Sequence, residues 1–258
     1  MTVAPSGEAP SRGSAVWLEG VGVRYGDAWA LRDVDLEVGV GQRVALVGPS
    51  GAGKSTLLSL LNGTVLPTLG TVRVLGQDPT ALAGRQQRRF QRRIGSIHQQ
   101  LQLVGPLRVV HNVNAGRLGE WSLARAALSL VAPRDVGAAR AALDRVGIPD
   151  KLYQRLDRLS GGEQQRVALA RVLVQSPEII LGDEPIASLD PARGREMLDL
   201  LRGLAVESGT TLVVSLHAFE LALSHFERVV GLRHGRVLFD CRPADVTPAA
   251  ARGLYELH

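Results

Sequence analysis

Gly48, Pro49, Ser50, Gly51, Ala52, Gly53, Lys54, Ser55 and Thr56 constrain this chain more than any other segment. They follow a short apolar run, Arg43-Val-Ala-Leu-Val47, and lead into Lys54–Leu61, whose composition is helical. Two glycines framing four residues, then lysine and serine, between a buried strand and a helix, demand a strand–loop–helix unit and hence an α/β core. Glycine lets successive backbone N–H groups turn inward around phosphate oxygens, and the helix N-terminus adds partial positive charge. In such a loop Lys54 reaches the β- and γ-phosphates of ATP, and the Ser55 hydroxyl ligates Mg²⁺.

The rest of the chain arranges itself around that unit. Val16–Val38 alternates apolar and polar residues, as in Val34-Asp35-Leu36-Glu37-Val38, and predicts antiparallel strands with one buried face. Thr71–Leu75 is a further strand closed by Gly76. From Arg85 to about Gln175 the pattern is mostly helical, broken at Pro106, Pro133 and Pro149. Strand signals return at Glu178–Gly182, Thr211–Ser215, Arg228–Leu232 and Arg236–Phe239. A helical block is therefore inserted into an α/β core.

Composition excludes several classes. With 45% apolar and 21% charged residues, 258 residues can bury a substantial core, so disordered and collagen-like readings fail. The one cysteine, Cys241, cannot form an internal disulfide and reads as a small, partly buried apolar side chain. No apolar stretch approaches the roughly 20 residues that cross a bilayer, and Met1–Ser14 reads as a loose tail without signal-peptide character. Net charge is +5, and lysine occurs only at Lys54 and Lys151. The basic run Arg85–Arg93 could meet nucleic acid or anionic lipid, but it lacks the aromatic interleaving of a base-stacking surface. It reads as a solvated helix face.

Three other segments carry chemistry. Ile179-Ile-Leu-Gly-Asp183-Glu184-Pro185 ends a buried strand in two carboxylates, at the edge of an α/β sheet where ligands sit. Asp183 suits the Mg²⁺ side, and Glu184 suits the attacking water as general base. Leu159-Ser160-Gly161-Gly162-Glu163-Gln-Gln165 is a second glycine loop opening a helix, a phosphate cradle without a lysine. Two cradles in one chain are explained by a head-to-tail dimer in which loops from different copies close over one ATP. Ser215-Leu216-His217 ends another strand.

With these segments in this order, the chain resembles the ATP-binding subunits of ABC transporters from about Val16 to Phe239. The resemblance implies a P-loop NTPase (RecA-like) core with an antiparallel β subdomain and an inserted helical subdomain at about 85–165. The ATPase domain would span 15–240, between a flexible tail at 1–14 and a short C-terminal extension at 241–258. It makes Gly48–Thr56 the Walker A loop and Ser160, Gly161 and Gly162 the signature. Asp183 becomes the Walker B aspartate, Glu184 the catalytic glutamate, and Ser188-Leu189-Asp190 the loop linking the two sites. Tyr25 would stack on adenine. Gln99, with Gln100 as the alternative register, would sense Mg²⁺ and touch the membrane subunit, and His217 would contact the γ-phosphate. The implied partners are a second copy of the chain, integral membrane permease subunits, and a periplasmic or lipid-anchored solute-binding protein. Nucleic acid is not among them. The place of work would be the cytoplasmic face of the cell membrane.

A finer resemblance, to the ATPase subunit of phosphonate importers, rests on Gln99-Gln100 with Leu103-Val104, Asn112-Val113, Gly116-Arg117-Leu118-Gly119 and Trp121. Glu184–Pro191 and Leu221–Arg233 add to it, while His98, Glu163 and Ser215 depart from the usual Phe, Gln and Asn. The alternatives are import of another polar solute, such as phosphate, phosphite or an amino acid, and a soluble ABC-type ATPase acting on nucleic acid or ribosomes.

Overall fold

The structure, a computed structural model, describes residues 13–187 and 189–256. Most of the expected N-terminal tail, Ser188 of the expected linking loop, and the last two residues of the C-terminal extension lie outside the described residues.

The chain opens with a long hairpin, β1 (Ser14–Tyr25) and β2 (Ala28–Gly39), as the alternation requires. Val34, Leu36 and Val38 are buried, while Asp35 and Glu37 between them are partly exposed. β3 (Arg43–Val47) and α1 (Lys54–Leu61) follow at the boundaries the glycine loop prescribes. β4 (Leu69–Val74) pairs antiparallel with β1, giving a three-stranded sheet in the order β2-β1-β4.

α2 (Gly84–Arg92) carries the basic run; Phe90 points into the core and the neighbouring Arg88 and Arg89 are exposed, so the run is one face of a helix. Next comes an element that the helical pattern conceals. β5 (Ile94–Ile97) lies inside the stretch expected to be helical, yet it pairs parallel with a strand more than eighty residues later, Ile94 opposite Ile179. Its four residues, Ile-Gly-Ser-Ile, are too few to show a period, and its pairing is entirely non-local. The inserted helices therefore start beyond it: α3 (Val109–Asn114), α4 (Leu123–Val131) and α5 (Val136–Arg145).

α6 (Gly161–Gln175) braces the insertion against the core. Arg171 donates from its guanidinium to the Leu101 and Gln102 carbonyls, and Gln175 Nε2 donates to the carbonyls of Gln91, Arg92 and Ile94. β6 (Ile179–Asp183), α7 (Pro191–Ser208), β7 (Thr211–Leu216), α8 (Phe219–His225), β8 (Arg228–Arg233) and β9 (Arg236–Cys241) complete a six-stranded sheet in the order β5-β6-β7-β3-β8-β9. It is parallel except for β9.

β3 is central in that sheet and its two faces feed two cores. Val44 and Leu46 join α1 and the antiparallel sheet, while Ala45 and Val47 join α7, α8 and the inserted helices. This double burial is why the strand reads as an unbroken apolar run. The segment after β9 is also ordered: in α9 (Pro248–Tyr255) Leu254 is buried and the Tyr255 ring packs edge-on against Phe219, centroids 6.0 Å apart. Arg233 donates to the Gly253 and Glu256 carbonyls, tying α9 to β8. Among the described residues, no helix is long and apolar enough to cross a membrane.

Candidate functional site

The parallel order brings the C-terminal ends of β5, β6, β7 and β3 side by side. Register aligns Ile97 with Gly182, Asp183 with Ser215, and Val47 with Leu216. Gln99, the Asp183–Glu184 pair, His217 and the glycine loop thus all leave the sheet on one edge, where open α/β sheets place their ligand crevice.

Two glycines in the loop have no substitute. Gly48 has φ 152°, and a Cβ there would lie 2.2 Å from the Leu232 carbonyl oxygen. Gly53 has φ 103°, and a Cβ there would lie 2.6 Å from the Ala30 carbonyl oxygen. The loop is therefore wedged between the β1–β2 hairpin and β8. Lys54 opens α1 and is only 5% exposed. Its Nζ donates to the Gly48 carbonyl at 2.7 Å and the Pro49 carbonyl at 3.1 Å, so the ammonium lies inside its own loop. Burial pushes its pKa down; the charges of Glu184 and Asp183 pull the other way.

Beside the loop a chain of oxygens crosses the strand ends. Ser55 Oγ donates to Asp183 Oδ1 at 3.0 Å, and the fully buried Ser215 Oγ donates to the same oxygen at 2.8 Å. Ser215 Oγ in turn accepts the Glu184 N–H at 3.0 Å. Glu184 has φ 49°, in the left-handed region where a non-glycine residue is uncommon. Its Oε1 lies 2.5 Å from His217 Nε2. Such outliers gather at functional sites.

Tyr25 ends β1 with its ring exposed, on the hairpin that borders the glycine loop. Gln99 is exposed just past β5. Its neighbour His98 is half-buried, and its imidazole pKa is pushed down by burial and then by the Arg171 charge, against a smaller pull from Asp183.

Ser160, Gly161 and Gly162 stand apart. Ser160 is the N-cap of α6; its N–H and its hydroxyl both donate to Glu163 Oε2, at 2.8 and 2.9 Å, and the Glu163 N–H returns to Ser160 Oγ at 3.4 Å. Lys151 Nζ lies 3.3 Å from Glu163 Oε1. The cavity at this helix start is lined by Ser160, Gly162, Glu163, Arg166, Leu189 and Arg193 among others, and by nothing from 48–56. Within one chain the two glycine loops face different spaces.

Two participants were not singled out from sequence. Ser215 was noted as part of Ser215-Leu216-His217 and as a departure from asparagine, without a role of its own; the available signal was a hydroxyl near the end of an apolar strand, two residues before His217. Lys151 showed only as one of two lysines, and its partner became visible when the fold set it beside the α6 cap.

A family model described as ABC transporter matches residues 31–187. The chain is similar to the phosphonates import ATP-binding protein PhnC of Anaeromyxobacter dehalogenans, 52% identical over 248 residues, which are 96% of this chain and 49% of that one. It thus spans about half the length of that relative. To PhnC of Pseudomonas entomophila it is 46% identical over 241 residues, 93% of this chain and 91% of the other. Among solved structures, the dimeric ATP-binding cassette MJ0796, in a post-hydrolysis state bound to ADP and Pi, matches with a TM-score of 0.73. Identity is 30%, over 88% of this chain and 98% of that one.

Proposed function

Because the chain belongs to the ABC transporter family, we propose that it is the ATP-hydrolysing subunit of an import complex, energising uptake of phosphonate or a related oxyanion through separate membrane subunits. The relatives that carry the name phosphonates import ATP-binding protein support the solute class. The membrane partners follow from the family, and we place the subunit at the cytoplasmic face of the membrane, in a complex whose solute-binding protein is periplasmic or lipid-anchored on the opposite side. The observation that carries the ATPase reading is one sheet edge bearing a phosphate loop, an Asp183–Ser55 oxygen pair and a Glu184–His217 contact.

The reaction is phosphoryl transfer from ATP to water. N–H groups of Gly48–Thr56 and the Lys54 ammonium hold the phosphates, with Tyr25 against the base. Lys54 now donates to two loop carbonyls, and a phosphate oxygen would take their place. The hydroxyl of Ser55 and the carboxylate of Asp183 are hard oxygen donors in contact, a set that would hold Mg²⁺, and Gln99 is the third candidate. Bound there, the cation would neutralise charge on the phosphates. Glu184 accepts the proton of the attacking water, and His217, next to its carboxylate, steadies that side chain and faces the γ-phosphoryl group.

Ser160, Gly161 and Gly162 reach this centre from a second copy, a reading supported by the cavity of their own chain that Ser160 and Gly162 line without any residue of 48–56. ATP closes the homodimer and hydrolysis reopens it. The helices between β5 and α6 pass that motion to the membrane subunits, driven only by the difference in ATP affinity between the two states.

Proteoliposomes holding this chain with its membrane subunits and binding protein test the reading. Methylphosphonate uptake that requires ATP, and is not matched by phosphate or an amino acid, is expected. Uptake of one of those solutes instead would replace the substrate class, and absence of ATP hydrolysis would remove the ATPase assignment.

A further inference from the structure

We propose that Ser215 is a positioning residue of the ATPase centre: its hydroxyl holds the Glu184 backbone in its left-handed turn and aims the Asp183 carboxylate at Ser55. The inference rests on the ATPase reading above and deepens it.

Ser215 is wholly buried in β7, between apolar neighbours on a strand that is buried along its length. A hydroxyl in that place must be satisfied by protein, and here it is satisfied by both members of the carboxylate pair. Its hydrogen goes to Asp183 Oδ1 and its lone pair takes the Glu184 N–H. One side chain therefore fixes two consecutive residues, the last of the adjacent strand β6 and the first beyond it.

The consequences differ for the two. The Glu184 N–H is held where the chain turns out of β6 with φ 49°, a conformation an L-residue leaves unless something retains it. That turn sets the direction in which the Glu184 side chain departs, and its carboxylate ends 2.5 Å from His217. His217 is two residues beyond Ser215 on the same strand end, so β7 fixes both sides of that contact. Asp183 Oδ1 receives two hydroxyls, from Ser215 beneath and from Ser55 on the phosphate loop, and the buried one cannot rotate away into water. Removing the Ser215 hydroxyl leaves a partly buried N–H without its acceptor and frees the turn to relax. Lys54 and the glycine loop, which hold the phosphates, do not contact Ser215 through any of these bonds.

The test compares Ser215→Ala, Ser215→Thr and Ser215→Val in the full chain. Thr and Val have matched shapes, so their difference isolates the hydroxyl. Ala and Val are expected to lower kcat on the order of 10²-fold, with KM for ATP changed by less than about threefold, while Thr keeps most of the activity. A second readout does not depend on turnover: with ATP, the Ala variant is expected to elute as a dimer on size exclusion, as a chain that binds ATP and hydrolyses it slowly. Ala retaining more than half of wild-type kcat overturns the proposal. So do equal losses in Thr and Val, or loss of ATP binding together with kcat, which would make the role merely structural. An inactive wild type would fail the ATPase reading instead.

Discussion

His217 Nε2 and Glu184 Oε1 lie 2.5 Å apart, although the two residues belong to different strand ends and Glu184 must adopt a left-handed backbone for them to meet. The contact gives the carboxylate one defined direction at the edge of the sheet. Glu184→Gln keeps the shape of the side chain and removes its basicity. Turnover is expected to fall by about 10²–10⁴-fold while ATP still binds, and an ATP-loaded dimer should accumulate on size-exclusion chromatography. Near-normal hydrolysis in this variant would take Glu184 out of the catalytic role. His217→Ala leaves the Glu184 carboxylate but frees its side chain, and kcat should drop on the order of 10²-fold.

Gly48 tests the loop by sterics alone. A methyl group at this residue meets the Leu232 carbonyl, which belongs to β8 and cannot swing aside like a side chain. Gly48→Ala should cost about 2 kcal/mol or more in unfolding free energy and should weaken ATP binding in a fluorescent-nucleotide titration. Gly51 makes the control, since a Cβ there meets nothing within 4 Å, although its φ of 78° still disfavours a side chain. Equal loss at both positions would show that backbone conformation, rather than the close approach to β8, sets the requirement.

These cases mark how far sequence alone reaches. β3 and α1 were legible to the residue because glycine, lysine and a buried apolar run are local signals. β5 was hidden because four residues carry no period and its strand partner, β6, lies more than eighty residues away. Ser215 could not be assigned a role because its bonds depend on how β6 and β7 align, across 32 residues for Asp183. α9 was opaque as well: Leu254 and Tyr255 acquire meaning only through β8, β9 and Phe219, which they cover. Local geometry was readable and lateral geometry was not.

The cap of α6 yields a pH prediction. The Glu163 carboxyl is held below its ordinary range, first by the Ser160 N–H, then by the Ser160 hydroxyl, with Lys151 adding a smaller pull. A carboxyl whose pKa is lower when folded contributes stability that is complete above the unfolded value and is lost as pH falls through the folded one. Thermal melts at falling pH should therefore show wild type losing more stability in the acid range than Glu163→Gln, which has no such proton to gain. Parallel curves would mean that the cap contributes nothing electrostatic. Ser160→Ala, which removes the N-cap itself, should cost about 1 kcal/mol at neutral pH.

The separation of the two glycine loops within one chain leads to a mixing experiment. Ser160 sits in a cavity that no residue of 48–56 lines, and in the homodimer proposed above each composite site would take Lys54 from one copy and Ser160 from another. Ser160→Arg and Lys54→Ala subunits should each be nearly inactive alone, the first by blocking the partner's phosphates and the second by removing their ammonium. In a mixed dimer the defects fall on one site together and leave the other intact, because two-fold symmetry pairs the wild-type lysine with the wild-type serine. An equal mixture should then recover roughly a quarter of wild-type ATPase activity, if half of the dimers are mixed and each has one working site. Full activity in Ser160→Arg alone would mean that a single chain completes its own site. No recovery in the mixture, with mixed dimers demonstrated by cross-linking, would mean that one intact site cannot turn over without the other.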